Sequence, residues 1–400
     1  MKLYAVLAFM QGAALAAAAP VSALPPVLTE SQATTIFYSV SPALKSARAA
    51  AAAAARARQA AGPAADPVLA LDRDSLGAGE NSFLLEWTPD ISGGRGLLRA
   101  AAGASASAAE SAARLAGLGL RAEVLRAFYA LLLAQEVSRE HRSAASRLKA
   151  LAGITRAAPA GRNAYDRLRL EVEFAAAQAE AGDAFARVEE TRCALSALLG
   201  SADCAELLAQ GTLLPPVMGP APSPAAEPAG PRPHPALEML SAEADVRDAE
   251  RRFALSRNIP GLSLRGGLKT SDGDSAGQAG VALSLPLSGS GRRAAEAAAG
   301  RRDETLARLE EARLGLSAAG AAARLRLEKR MAAAAARGSE VLPQAERLER
   351  EAALGYTEGR LGVPELVDAF RTALRVRVAL LEAAYEARLA YIGLKLAGGE

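Results

Sequence analysis

Large side chains are scarce in this 400-residue chain. Aromatics account for 4% of it, with a single Trp, and much of its 50% hydrophobic content is alanine. A compact globular core would have few big anchors to build on. No stretch approaches ~20 uninterrupted large apolar residues, which argues against any membrane-spanning helix. If the chain enters a membrane, it does so as strands. Only two histidines are present, His141 and His234. Neither has a partner at metal-ligand spacing, so no metal centre and no cofactor are expected. There are also only two cysteines, Cys193 and Cys204, on either side of Gly200. In an oxidising compartment they either bridge locally across a helix end or stay as free thiols, and the bridge is the better reading. Charge of one sign is missing too: the net charge is +3, with basic and acidic residues interspersed. Without aromatic interleaving, that balance gives no support to a nucleic-acid partner. No nucleophile–base pair, paired carboxylates or phosphate loop stands out, so no enzymatic activity is expected.

What is present is alanine, arginine, glutamate and leucine in long stretches, the composition of long or coiled-coil helices. The N-terminus reads as a secretory signal over residues 1–23, with Lys2 in the basic region, an apolar stretch over 5–19 and small residues at Val21-Ser22-Ala23. No cysteine follows the cleavage site, so no lipid anchor is expected there.

The rest of the chain is written twice. Ser41-Pro42-Ala43-Leu44 recurs as His234-Pro235-Ala236-Leu237, and Pro67 with its alternating Leu69 and Leu71 recurs at Pro260, Leu262 and Leu264. Thr88-Pro89 ahead of Gly94-Arg95 recurs as Leu285-Pro286 ahead of Gly291-Arg292. Gly161-Arg162 recurs as Gly359-Arg360, and the helix end at Gly200 recurs at Gly398. The order is kept while the offset drifts slowly, so a duplication is the natural reading. It divides the chain into a first repeat over 24–210, a linker over 211–233 whose prolines forbid helix, and a second repeat over 234–400.

Each repeat predicts a helix, a β-hairpin, a long helix and a returning helix. In the first repeat the helices are expected over 31–61, 95–152 and 164–199, and the strands over 67–72 and 81–88. In the second the helices fall over 236–256, 292–355 and 364–396, and the strands over 261–269 and 279–287. Alternation puts Phe83, Leu85 and Trp87 on one strand face, and Val281, Leu283 and Leu285 on one face of the last strand. Each long helix spans roughly 85–95 Å, and the short and returning helices placed end to end match it. Two hairpins supply four strands, too few to close a barrel. In hydrocarbon an open edge leaves N–H and C=O groups unsatisfied, so other copies must cap it, and three copies give twelve strands. The alternative at this point is a pair of soluble hairpins packed on helices.

Several segments resemble the TolC-type outer membrane efflux protein family over nearly all of the mature sequence. They are Ser41-Pro42-Ala43-Leu44, Glu86-Trp87-Thr88-Pro89 leading to Gly93-Gly94-Arg95, and Leu283-Ser284-Leu285-Pro286-Leu287 leading to Gly291-Arg292. Gly355-Tyr356-Thr357-Glu358-Gly359 with Leu366-Val367-Asp368-Ala369, and the helix ends at Gly200 and Gly398, complete the match. The first repeat looks most like the heavy-metal and cation efflux branch. The resemblance implies a mainly α chain with two β-hairpins, forming a duplicated long-helix coiled-coil tunnel and a trimer-completed twelve-stranded transmembrane barrel with four strands per chain. It implies a homotrimer in outer-membrane lipid, reaching far into the periplasm. It implies a passive efflux duct that docks to a periplasmic adaptor and an inner-membrane pump of the RND type. It places Gly161, Arg162, Gly359 and Arg360 at the periplasmic tip, where adaptor docking or gating occurs. Leu168 and Leu366 fall at equivalent positions after the two tips and serve either adaptor docking or a coiled-coil seam, while Asp166 and Asp368 either line the opening or, the better reading, lie on a solvated helix face. The first tip, Ala157 to Gly161, is more alanine-rich than the family's polar turn. Other readings stay open: the duct of a type I protein secretion system, a periplasmic adaptor, or a soluble exported coiled-coil scaffold.

Overall fold

The computed structural model describes residues 24–62, 66–74, 80–157, 164–201, 206–216, 233–271 and 274–399. The expected signal segment, most of the proline-rich linker, the first tip at Gly161-Arg162 and Cys204 lie outside the described residues. Eight α-helices and six strands are described: β1 (Val27–Thr29), α1 (Glu30–Val40), α2 (Pro42–Ala60), β2 (Val68–Asp74), β3 (Glu80–Trp87), α3 (Gly94–Ala157), α4 (Ala164–Leu198) and β4 (Leu208–Gln210), followed by α5 (Pro235–Ser256), β5 (Gly261–Ser271), β6 (Asp274–Ser284), α6 (Ser290–Ala336), α7 (Leu342–Thr357) and α8 (Val363–Ala397). They group into two compact units. One contains residues 24–42, 123–215 and 331–388; the other contains 43–122, 216–330 and 389–399.

In the first unit, α1 opens with a reciprocal cap. The Gln32 amide donates to the Thr29 hydroxyl oxygen, while Gln32 Oε1 accepts from the Thr29 amide at 2.9 Å. The single helix expected over 31–61 is broken at Ser41, whose ψ of 116° is extended. Pro42 causes the break, because its ring disfavours helical backbone in the residue before it. A parallel pair of three-residue strands, β1 with β4, went unread in the sequence. Arg388 is buried on α8 and holds the segment after β4. It donates to the carbonyls of Leu213 (3.0 Å), Thr212 (2.8 Å) and Leu214, and its guanidinium lies 4.5 Å from the centre of the Tyr129 ring. Val124, Phe128 and Leu131 of α3 are fully buried in this unit.

The long second-repeat helix expected over 292–355 is also interrupted. A π-turn at Arg337–Val341 separates α6 from α7, and the Leu342 amide reaches back to Arg337. Pro343 supplies the reason: it has no N–H to give the preceding turn, and its ring crowds the carbonyl four residues back.

In the second unit, the strands form one antiparallel sheet in the order β2-β3-β5-β6. The two repeats meet edge to edge through β3 and β5, with Phe83 opposite Leu268 and Trp87 opposite Leu264. The second hairpin differs from its expected limits: β6 runs Asp274–Ser284 rather than 279–287. Leu285 therefore follows the strand instead of lying on it, directly before Pro286, which cannot donate to a ladder.

Candidate membrane-facing sheet and helical tip

Strand register decides which residues of the sheet share a face. Leu69 and Leu71 stand opposite Leu85 and Phe83, and Leu264 stands opposite both Trp87 and Val281. One apolar face thus runs unbroken across all four strands. It is uncovered within the chain: Leu71 is 63% exposed, Phe83 51% and Val281 70%. The other face is the more polar one, with Val68, Ala70 and Leu84 among its residues. Glu86 pairs there with Arg265 at 3.3 Å, and Ser82, Ser263 and Lys269 share it. Eleven residues per strand in β5 and β6 give ~36 Å of length, which a tilt of ~45° reduces to about the height of a lipid-facing apolar band. Among the described residues both outer strands, β2 and β6, keep one unpaired edge. The joint between the repeats is close. At Gly267 a Cβ would stand 2.1 Å from the Phe83 carbonyl oxygen, so this position tolerates no side chain without moving the strands apart.

The descent from sheet to helix is held by Asp90. Its carboxylate accepts from the Arg95 amide (2.7 Å), the Gly94 amide (3.2 Å) and the Ser92 hydroxyl (2.9 Å). The Arg95 amide bond, foremost, holds the Asp90 carboxyl below the usual carboxylate range. Arg99 ties α2 to α3 by donating to the carbonyls of Gly62 (3.0 Å) and Ala61 (3.4 Å).

The other candidate site lies in the first unit, around the turn between α7 and α8. Gly359 takes φ +75°, a left-handed conformation that glycine adopts at low cost, and the Arg360 amide closes back onto the Gly355 carbonyl at 2.8 Å. Glu365 then caps α8 by accepting from the Gly362 amide at 3.1 Å. Arg360 is exposed and paired with Glu358, and Asp368 is exposed on α8. Leu366 is fully buried, in a cluster with Leu170, Tyr356, Val363 and Val367. Its repeat counterpart Leu168 is 62% exposed on α4, with Asp166 half-buried nearby. The two leucines therefore do different jobs, and only Leu168 is presented at the surface. Tyr165 and Val172 are exposed with it and make an apolar stripe at helical spacing. That spacing was the available sequence signal, but it reads equally well as a buried seam.

Two buried carboxylates, in three ion pairs, stand behind this tip. Glu349 on α7 is buried and receives both Arg147 of α3 and Arg377 of α8. Glu173 on α4 is buried and pairs with Arg371 of α8 at 2.5 Å. Cys193 on α4 is disulfide-bonded. His234 accepts from the Ala236 amide as the cap of α5, and His141 lies 3.6 Å from Glu180. Among the described residues no group of three His, Cys, Asp or Glu could hold a metal ion, and no helix is long and apolar enough to cross a membrane.

An uncovered amphipathic sheet together with long helices written twice defines a class: the fold is that of TolC-type outer-membrane channels. The outer-membrane channel OprN superposes with a TM-score of 0.75 at 22% identity, covering 92% of this chain and 89% of that one. The Campylobacter jejuni CmeC outer membrane channel gives 0.75 at 16% identity, covering 92% and 85%. In sequence, the chain is 30% identical over 288 residues to the cobalt-zinc-cadmium resistance protein CzcC of Cupriavidus metallidurans, covering 67% of this chain. It spans 65% of that relative's length. No family model matches the chain. Fold and relative together identify it as a member of the TolC-type outer membrane efflux protein family, located in the outer membrane. These similar structures are channels rather than enzymes.

Proposed function

We propose that three copies of this chain form a passive duct through the outer membrane, the exit channel of a tripartite efflux system. The observation that carries this reading is the four-stranded sheet, apolar and uncovered on one face and open at β2 and at β6. Exposed apolar strands suit lipid, but open edges do not, and a ring of copies joining β6 of one to β2 of the next removes every edge. Phe83, Leu85, Trp87, Val281 and Leu283 then face lipid, and Glu86 and Arg265 face the lumen. Purification tests it. The chain is expected to need detergent for extraction and to run at three times its own mass. Single cysteines placed on β2 and β6 should give a covalent trimer on oxidation. A detergent-free soluble monomer sinks the proposal.

The tips are the proposed docking surface for a periplasmic adaptor working with an RND-type inner-membrane pump. The exposed Arg360 and the stripe around Leu168 support this, and the first tip at Gly161-Arg162 is its repeat counterpart. Arg360→Glu should weaken cross-linking to the adaptor and leave the trimer intact; unchanged cross-linking refutes a docking role for that residue. The relative named for cobalt, zinc and cadmium resistance favours metal cations as cargo over drugs or secreted proteins. Deleting the gene should lower tolerance to zinc or cobalt salts more than tolerance to organic antibiotics.

A further inference from the structure

The net charge of +3 hides a local imbalance. Four helix ends adjoin the sheet: the last six residues of α2 and α5, and the first six of α3 and α6. These 24 positions carry eight arginines, two at each end, and no Asp or Glu. The chain-wide 47 basic and 44 acidic residues would put just under three of each there (24 × 47/400 and 24 × 44/400). Helix physics favours the arginines at the ends of α2 and α5 and works against those at the starts of α3 and α6. The starts of α3 and α6 are positive dipole ends, where carboxylates stabilise and cations destabilise. Arg95, Arg99, Arg292 and Arg293 sit there nonetheless, with no acid in either first turn.

Six of these eight charges are not spent on ion pairs within 4 Å among the described residues. Arg251 and Arg252 share Asp248. The other six have no carboxylate partner within 4 Å among the described residues, and all but the half-buried Arg95 are exposed. Arg99 and Arg293 donate to backbone carbonyls, which leaves their charge uncompensated, whereas Arg95 donates to a carbonyl and is also attracted by the Asp90 carboxylate. Asp90 caps α3 and offsets Arg95 alone of the six. Arg58, Gln59 and Arg99 line a cavity of about 660 Å³ against the small face of α3 formed by Gly96, Ala100 and Gly103. Only six residues, 88–93, separate Trp87 at the foot of β3 from the start of α3. Arg99 stands about 8 Å further along the helix. That distance is comparable with the ~5–8 Å depth of one headgroup layer.

We infer that this arginine collar binds the phosphates of anionic phospholipid in the leaflet at the foot of the sheet, with one headgroup seated in the Arg58–Arg99 cavity. The inference rests on the reading of the sheet as lipid-facing. Continuity with the apolar face and charge complementarity select a lipid as the occupant. The lipid would fix how deep the sheet sits and neutralise the dipole ends that the arginines oppose.

The lone tryptophan makes the test direct, because Trp87 lies on the apolar face beside the collar. The full chain is reconstituted in bilayers containing brominated phosphatidylcholine or brominated phosphatidylglycerol, and quenching of Trp87 gives relative affinities. Phosphatidylglycerol is expected to be preferred by about five-fold or more, the equivalent of about 1 kcal/mol per engaged arginine. The double variant Arg58→Gln with Arg99→Gln should bring that ratio toward one, and Arg58→Lys with Arg99→Lys should keep most of it. Unchanged quenching by brominated phosphatidylcholine shows that the Gln variant still inserts. Equal quenching by both lipids in the unmodified chain, or a preference untouched in the Gln variant, overturns the collar. No quenching by either lipid overturns the lipid-facing reading itself.

Discussion

The two long helices are written as copies of each other, yet they live differently. The first, α3, is a single helix of 64 residues. The second covers nearly the same length as 47 residues of α6, a five-residue π-turn and 16 residues of α7. Along α3, Val124, Phe128 and Leu131 are fully buried by other parts of the same chain. Along α6, Leu314 is 69% exposed and Leu325 56% exposed. The start of α3 is capped by the Asp90 carboxylate, and α6 has no acid in its first turn. The contrast teaches a division of labour. One copy of the repeat is folded by its own chain, and the other keeps apolar positions uncovered, available to a neighbouring copy.

Breaking the self-folded side should have the largest effect. Phe128→Ala removes a ring with no exposure and should cost about 3–5 kcal/mol, read as lost folded protein and a lowered Tm. On the other helix, Leu314→Asp with Leu325→Asp should leave the helical spectrum of the chain unchanged but shift trimer to monomer in detergent, read by light scattering. If the pair instead unfolds the chain, the contrast between the helices is wrong. Pro343→Ala probes the interruption: with the N–H restored, the turn can return to α geometry, and Tm should rise by a few degrees if the π-turn has no functional use. Asp90→Ala should have the smallest effect, about 1 kcal/mol as for other lost helix caps. Its sign with pH is fixed. The folded carboxyl titrates lower than in the unfolded chain, so its stabilisation is complete above the unfolded value near ~4 and is lost as pH falls through the folded one. Denaturation curves of the variant and the parent should converge toward acid pH.

The hairpins and most helix limits were legible in the sequence because alternation, helical spacing and Gly/Pro stops are local signals. Phe83, Leu85 and Trp87 announce their shared face by position alone. The pairing of β3 with β5 is not local: 184 residues (268 − 83 − 1) lie between Phe83 and its partner Leu268, and no short-range pattern sets that register. The β1–β4 pair was invisible because three residues, Val27–Thr29 or Leu208–Gln210, are too few to alternate. Leu168 and Leu366 show a different limit. Equal repeat positions give equal sequence signals, while exposure depends on what packs against each helix. Ser41-Pro42 and Val341-Leu342-Pro343 were readable breaks, outweighed as sequence signals by the alanine-rich runs at 49–55 and 332–336.

The open edges at β2 and β6 have a genetic consequence. In the proposed ring each joint removes one pair of open edges, but two edges stay open until the last copy closes the circle. A copy defective at either edge then poisons any ring that it enters. With good and defective copies expressed equally and mixed at random, about one ring in eight is free of defects. Edge mutations in β2 or β6 should therefore behave as dominant, whereas a fold-breaking change such as Phe128→Ala removes its own copy before assembly and should be recessive.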